Sequence, residues 1–231
     1  MENPYVEGQV LLIDKPLQWT SFDAVKKIKN SLRKKYQLKK IKVGHAGTLD
    51  PLATGLLIIC TGKKTKIIES IQSQQKEYTG TIMIGGTTPS YDLETEVDTT
   101  YPIDHITEVQ MKEVSESFLG DNDQMPPDFS AKKIDGQRAY DIARKGEKPE
   151  LKTKLIQIYA FDVDTSDFPA VHFRIECSKG TYIRSIAHDF GKALGSGGHL
   201  TALRRTKIGD YHVENALAVD DFFESLQTVK A

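Results

Sequence analysis

Gly44-His45-Ala46-Gly47-Thr48-Leu49-Asp50-Pro51-Leu52-Ala53-Thr54-Gly55 runs without a break into the apolar segment Leu56-Leu57-Ile58-Ile59-Cys60. Three glycines permit tight turns and a close approach of the backbone to a ligand. Pro51 fixes its own φ and biases Asp50 toward an extended conformation. The apolar run that follows predicts a buried strand. One carboxylate is therefore held on a stiff hinge where a loop meets a strand. Such a hinge suits a catalytic acid group and equally suits a plain turn, so the rest of the chain has to decide.

Working outward, residues 8–13 read as a strand ending in Asp14-Lys15-Pro16. Thr20 or Ser21 caps a helix with Phe22, Val25, Ile28 and Leu32 on one face. Residues 63–73 read as helical, with Ile67, Ile68 and Ile71 inward. Tyr78, Gly80, Ile82 and Ile84 alternate as in a strand, which Gly85-Gly86 breaks. Residues 109–119 form a short amphipathic helix, and residues 137–145 another helix. Residues 121–150 read as an inserted lobe, the alternative being an ordinary long connection. Val171, Phe173, Ile175 and Cys177 alternate as a strand, and residues 182–194 follow as a helix with Ile183, Ile186, Ala187 and Phe190 inward. Leu203-Arg204-Arg205 lies on a short extended piece, and residues 218–226 form a last helix. Strands and helices mix without strict βαβ alternation. That predicts an α+β fold with a mixed, mostly antiparallel central sheet and flanking helices, in one domain over residues 1–231.

The apolar (39%) and charged (27%) fractions are those of an ordinary globular protein. No apolar run approaches the ~20 residues of a membrane span, and no basic-then-apolar leader opens the chain. Two cysteines, Cys60 and Cys177, in strand-like surroundings make neither a disulfide framework nor a zinc site, which points to the cytoplasm. The net charge of −1 selects no partner, but its distribution is uneven. Residues 25–42 carry nine bases and no acid, whereas from Asp92 to Asp123 Lys112 is the only Lys or Arg. The basic segment suits a polyanion; the alternative is a solvated helix face.

Several chemistries are excluded. Gly62-Lys63-Lys64 resembles the end of a Walker A loop, but Leu57 stands where its first glycine belongs and Lys64 replaces the Ser/Thr. No G-x-G-x-x-G follows a strand, and no G-x-S-x-G elbow is present. The six histidines form no metal-ligating pair, so neither a metal nor a cofactor is expected. One pinned carboxylate, scattered Arg and Lys, and tyrosines at strand ends suit cofactor-independent chemistry on a base or sugar.

The twelve residues 44–55 closely resemble the signature of the bacterial TruB-type tRNA pseudouridine synthases. Leu12-Ile13-Asp14-Lys15-Pro16, Lys76-Glu77-Tyr78, Gly180-Thr181-Tyr182-Ile183-Arg184 and Leu203-Arg204-Arg205 agree in order and spacing. Pro126-Pro127-Asp128-Phe129-Ser130-Ala131, with Lys133 and Gly136, resembles the family's inserted RNA-gripping segment, here at about 121–150. Many members continue into a C-terminal RNA-binding domain of the PUA type, which this chain is expected to lack.

The resemblance implies isomerisation of the T-arm uridine at tRNA position 55 to pseudouridine. The N1–C1′ bond must break, the base must rotate, and C5 must join C1′. A carboxylate can attack C1′, add to C6, or take the 2′ proton, and the sequence does not choose. The resemblance gives Asp50 the catalytic role and makes Arg184 the cation that pairs with it. Tyr78 is the tyrosine that stacks on the base and helps remove the C5 proton. His45 fills the space left by the flipped base, and Tyr182 and Leu203 line its pocket. Extrusion costs a few kcal/mol, which aromatic stacking worth roughly 1–3 kcal/mol can repay. Lys15, Lys64 and the basic run are assigned to phosphates. The expected partner is tRNA, bound by a monomer without a membrane or protein partner. The competing reading is a non-catalytic tRNA-binding or folding protein on the same scaffold.

Overall fold

The computed structural model describes residues 3–130, 132–134 and 136–228. In chain order the strands are β1 (Val10–Lys15), β2 (Val43–His45), β3 (Ala53–Thr61), β4 (Lys76–Ile84), β5 (Gly86–Thr87), β6 (Thr99–Thr100), β7 (Gly120–Gln124), β8 (Lys133–Ile134), β9 (Gln137–Arg138), β10 (Lys154–Asp167), β11 (Ala170–Cys177), β12 (Gly198–Ile208), β13 (Tyr211–His212) and β14 (Leu217–Ala218). The α-helices are α1 (Pro4–Glu7), α2 (Ser21–Lys35), α3 (Ile68–Gln72), α4 (Glu108–Ser117), α5 (Ala139–Ala143), α6 (Ile183–Ala193) and α7 (Val219–Thr228). The fold is α+β. The registers given below are antiparallel, whereas β1 pairs with β14 in parallel (Ile13↔Leu217). The chain divides into two compact units, residues 1–78 with 204–231, and residues 79–203.

In the first unit β3 is central. It pairs with β1 from Val10↔Cys60 to Lys15↔Gly55, and with β2 from Val43↔Thr61 to His45↔Ile59. The unbroken apolar run has a physical reason, because both faces of β3 are covered. Leu57 and Ile59 join Ile13, Ile28, Leu32 and Phe222 in one cluster, under α2 and α7. Leu56, Ile58 and Cys60 join Ala46, Ile71 and Ile208 in another. Thr20 caps α2: its hydroxyl accepts from Asp23 N and the Asp23 carboxylate accepts from Thr20 N. Of the residues expected on the inner face of α2, Phe22 is exposed instead; Ser21, Ala24, Val25, Ile28 and Leu32 make up that face. Residues 63–73 are helical in two pieces, a 3-10 turn (Gly62–Ile67) and α3.

In the second unit β11, β10 and β7 lie side by side, with β4 flanking β11. Ile158↔Cys177 and Lys154↔Gln124 set the registers. Phe161 meets Phe173 and Phe190 at ring-centroid distances of 6.2 and 5.6 Å. Gly80 takes its place in the alternation of β4 without a side chain because the backbone is crowded there. A Cβ would stand 2.4 Å from Ala202 O and 2.7 Å from the Phe173 ring. Residues 120–124 form a strand, and the helix expected at 137–145 shortens to α5, since Gln137–Arg138 pairs with Lys133–Ile134. Ala131 lies outside the described residues. Among the described residues no helix is long and apolar enough to cross a membrane.

Candidate active site

The signature stretch joins β2 to β3, and its backbone is fastened at almost every step. Ala46 N donates to Ile58 O at 2.9 Å, ending the β2–β3 ladder. Ser21 Oγ, at the start of α2, accepts from Leu49 N (2.8 Å) and donates to Leu49 O (3.1 Å). Ala53 N donates to Asp50 O at 3.1 Å, closing a turn with Pro51 at its second position, and Gln18 N donates to Pro51 O at 2.8 Å. Asp50, half-buried, is bracketed on both sides.

Arg205 completes this arrangement. The side chain is 1% exposed. It donates from Nε to Leu56 O (2.8 Å), from Nη1 to Thr48 O (3.4 Å) and from Nη2 to Gly47 O (3.1 Å). A guanidinium presents several donors in a rigid fork, so one residue fastens the loop at three points. Gly55 lets the strands meet there. Its φ is +99°, and a Cβ would lie 2.3 Å from Arg205 O. Next door, Arg204 forms a two-pronged pair with Asp14 (3.0 and 2.6 Å), tying β12 to β1.

Lys15 is corrected by its position. The residue has no exposed surface, and its ammonium donates to Trp19 O (2.7 Å) and Pro16 O (3.0 Å). A side chain without exposed surface cannot hold an external phosphate. Its electrostatic neighbours are Asp50, Arg205 and Asp23. Burial pulls its pKa down to about 8, with Arg205 adding to the fall and the Asp50 and Asp23 carboxylates opposing it. Lys15 is thus an internal cation with Asp50 among its electrostatic neighbours.

His45 ends β2, opposite Ile59. Burial lowers its pKa, the Arg205 charge lowers it further, and a backbone interaction with Gly47 opposes both. The lowered pKa favours the neutral ring at pH 7. Lys64 is exposed in the 3-10 turn at the opposite end of β3 from Asp50. Tyr78 is buried on β4, as the alternation predicts. Within the first unit His45 and Lys15 thus share Arg205 as an electrostatic neighbour, and Lys15 has Asp50 as another.

Arg184, Tyr182 and Leu203 belong to the second unit. Tyr182 is the N-cap residue of α6, and Gln124 clamps its backbone from both sides. Gln124 Nε2 donates to Tyr182 O (3.0 Å) and Oε1 accepts from Tyr182 N (2.8 Å). Arg184, two residues on, is buried. It donates to Phe129 O (2.9 Å) and Ser90 O (3.3 Å) and has its Nε 3.8 Å from Asp92 Oδ2. Asp92 is itself buried in a tight polar loop, its carbonyl accepting from Thr88 Oγ1 at 2.7 Å. Leu203 is half-buried on β12. Sequence reasoning missed Arg205, Gln124 and Asp92. Arg205 sits in a quoted motif, but nothing in the pattern marked it as buried; for Gln124 and Asp92 no local signal existed.

Residues 33–183 match the TruB family pseudouridylate synthase N-terminal domain, and residues 184–231 the tRNA pseudouridylate synthase B C-terminal domain. The tRNA pseudouridine synthase B of Flavobacterium johnsoniae is 61% identical over 224 residues, covering 96% of this chain and 98% of that protein. The protein of the same name from Phocaeicola vulgatus is 54% identical over 222 residues, with 96% and 94% covered. Among solved structures, a chain from a Cbf5-Nop10-Gar1 complex superposes with a TM-score of 0.71 at 28% identity, over 95% of this chain. This chain spans only 54% of that one. A fastened loop presenting one carboxylate, and a family model matched over most of the length, lead to one conclusion: the chain belongs to the TruB family of pseudouridylate synthases.

Proposed function

We infer that the protein is a tRNA pseudouridine synthase, an isomerase that converts the T-arm uridine at tRNA position 55 into pseudouridine. The observation that carries the reading is the immobilised Asp50, whose loop is held by Arg205 and Ser21 while its half-buried carboxylate has Lys15 as an electrostatic neighbour. A binding module has no need to fix one carboxylate so firmly, whereas a bond-breaking carboxylate does.

Asp50 is assigned as the reacting group at the sugar or ring. Arg184 is assigned as its orienting cation, on the strength of the motif match and of the burial of its guanidinium. Tyr78 is assigned to stacking and to removal of the C5 proton, and Tyr182 and Leu203 to the base pocket. His45 is assigned to the space vacated in the T loop, and the neutrality of its ring supports this. Lys64, exposed, keeps its assignment to a phosphate. Residues 121–150 are assigned as an RNA-gripping insertion of a single catalytic domain. The enzyme is placed in the cytoplasm as a monomer working without a cofactor. Two free, buried cysteines are compatible with a reducing compartment.

The test uses tRNA transcripts carrying tritium at C5 of uridine. Forming the C5–C1′ bond releases the label to water. Wild type releases about one equivalent per tRNA and Asp50→Asn essentially none, a loss of at least ~10³-fold. A transcript with cytidine at the target position releases nothing. Full activity of Asp50→Asn, or release from the cytidine transcript, overturns the assignment.

A further inference from the structure

The basic run at 25–42 does not form one helix face. Leu38 N donates to Arg33 O (3.0 Å), the chain turns at Gln37 (φ +50°), and residues 39–42 fold back beside the end of α2. Lys42 O then accepts from Gly62 N at 2.9 Å, which brings the 3-10 turn alongside. The result is a groove of about 630 Å³ in the first unit, with Val6 and Ile41 among its lining residues. Lys29, Arg33, Lys39, Lys40, Lys42 and Lys66 line it. Lys63 lines it too and is paired with Glu7 at 2.6 Å. Among the described residues, Glu7 is the only carboxylate within 4 Å of any of these seven cations. Lys27, from the same run, is absent from the groove. Its ammonium sits over the Trp19 and Phe223 rings at 4.9 and 4.8 Å.

Seven cations from three separate segments, with one acid among them, exceed what a single small anion needs; they suit a phosphate backbone. Their place along β3 fixes which part of the RNA they reach. Asp50 precedes the first residue of β3, and Gly62 follows the last. The nine residues of β3, which lie between them, alone span roughly 25 Å at ~3.3 Å per residue. A hairpin stem of about five pairs is shorter, because A-form RNA rises less per pair than the ~3.4 Å of B-DNA and five pairs make at most ~17 Å. We propose that this groove is a second RNA-binding site, which grips the phosphate backbone of tRNA outside the T-arm hairpin that delivers the target uridine. The proposal rests on tRNA being the substrate, and it adds an anchor separate from both the signature loop and the 121–150 insertion.

The test compares binding of full-length tRNA transcript with binding of a T-arm hairpin of about five base pairs. The proteins are wild type and the triple variant Lys39→Ala/Lys40→Ala/Lys66→Ala. All three positions are exposed, and none has a partner that the fold requires. For full-length tRNA the Kd rises about tenfold or more, and the slope of log Kd against log salt falls by about 2, at ~0.7–0.9 for each phosphate no longer neutralised. For the hairpin the Kd changes less than about twofold. The triple lysine-to-arginine variant binds tRNA like wild type, because charge and not shape is required. An unchanged Kd for full-length tRNA overturns the proposal. An equal loss on the hairpin also overturns it, since the groove would then serve the T arm itself. Tritium release is read in a separate assay, so failure of the catalytic assignment appears there and failure of the groove appears in binding.

Discussion

Arg205 Nη2 donates to the carbonyl oxygen of Gly47 at 3.1 Å, so a buried cation on β12 holds the loop that carries Asp50. Arg205→Met removes three donors at once and leaves the carbonyls of Gly47, Thr48 and Leu56 without that partner. Each such loss costs ~1–3 kcal/mol where water cannot replace it, so unfolding in urea should show a loss of roughly 3 kcal/mol or more. Displacing the carboxylate by about 1 Å is worth about a hundredfold in rate, so kcat for tritium release should fall by that order while KM moves little. Arg205→Lys, with a single ammonium in place of the fork, should fall between the two. An unchanged kcat in the methionine variant would remove the positioning role.

Gly55→Ala attacks the same junction from the other side. The new Cβ would stand 2.3 Å from Arg205 O, at a φ of +99° that alanine avoids. Strain and overpacking together should cost about 2–4 kcal/mol. The midpoint of urea unfolding reads this, and a shift below ~0.5 kcal/mol would show that the two strands separate freely there.

Lys15 makes a prediction about pH. Its pKa in the fold is about 8, below the ~10.4 of an unfolded lysine. Below pH 8 both states are protonated and the fold carries the full cost of a buried ammonium. Between about 8 and 10 the unfolded chain binds more protons, so stability rises with pH in that window. Wild type should therefore gain stability relative to Lys15→Met as pH rises from 8 to 10. The difference should be flat between pH 6 and 7. Urea titrations at fixed pH check it, and a relative stability that stays level or falls across that window would contradict the shift.

The parts of the fold that were legible in the sequence are those whose cause is local. Five apolar residues at 56–60 announce a buried strand, and Thr20 or Ser21 before an apolar-periodic stretch announces a helix start. Residues 120–124 form a strand only because β10 offers an edge to pair with, so a polar sequence (Gly-Asp-Asn-Asp-Gln) gives no hint of it. The 14-residue β10 is masked by its own irregularity: a register shift between Ile158 and Ala160 breaks the alternation that marks a strand. Charge misleads where burial depends on backbone carbonyls, near in sequence for Lys15 and far for Arg205. Lys15, assigned to a phosphate, is an internal cation, and Arg205, which carried no assignment, fastens the signature loop from inside. The candidate site was legible through its motifs. The residues that hold those motifs in place, Gln124 and Asp92 among them, are joined to them only by folding.

Gln124 is the next test of that support. Gln124→Leu removes both hydrogen bonds to the Tyr182 backbone, at the start of the helix that carries Arg184. The expected cost is about 2 kcal/mol in stability, with a fall in kcat larger than any rise in KM. Gln124→Glu does not rescue. One carboxylate oxygen still accepts from Tyr182 N, but the other meets Tyr182 O without a proton to share. Full activity of Gln124→Glu would mean that the clamp is dispensable.

The 121–150 segment can be removed in two ways that the structure makes unequal. Deleting 124–148 takes Gln124 itself, together with Met125 O, which accepts from Ser185 Oγ at 2.8 Å, and Phe129 O, which accepts from Arg184 Nη2. That deletion should abolish kcat, whatever the segment does for RNA. Deleting 132–148 keeps those hydrogen bonds. It removes Tyr140 and Arg144, which reach Glu94, two residues after Asp92, at 2.7 and 3.2 Å. An exposed pair of this kind is worth about 1 kcal/mol or less, so the rest of the unit should stay folded. If the segment grips RNA, the shorter deletion should raise KM for tRNA at least about tenfold, a loss near 1.4 kcal/mol, with kcat within about twofold of wild type. Steady-state tritium release separates the two variants. Unchanged KM in the shorter deletion would leave the grip to the basic groove and the loop alone.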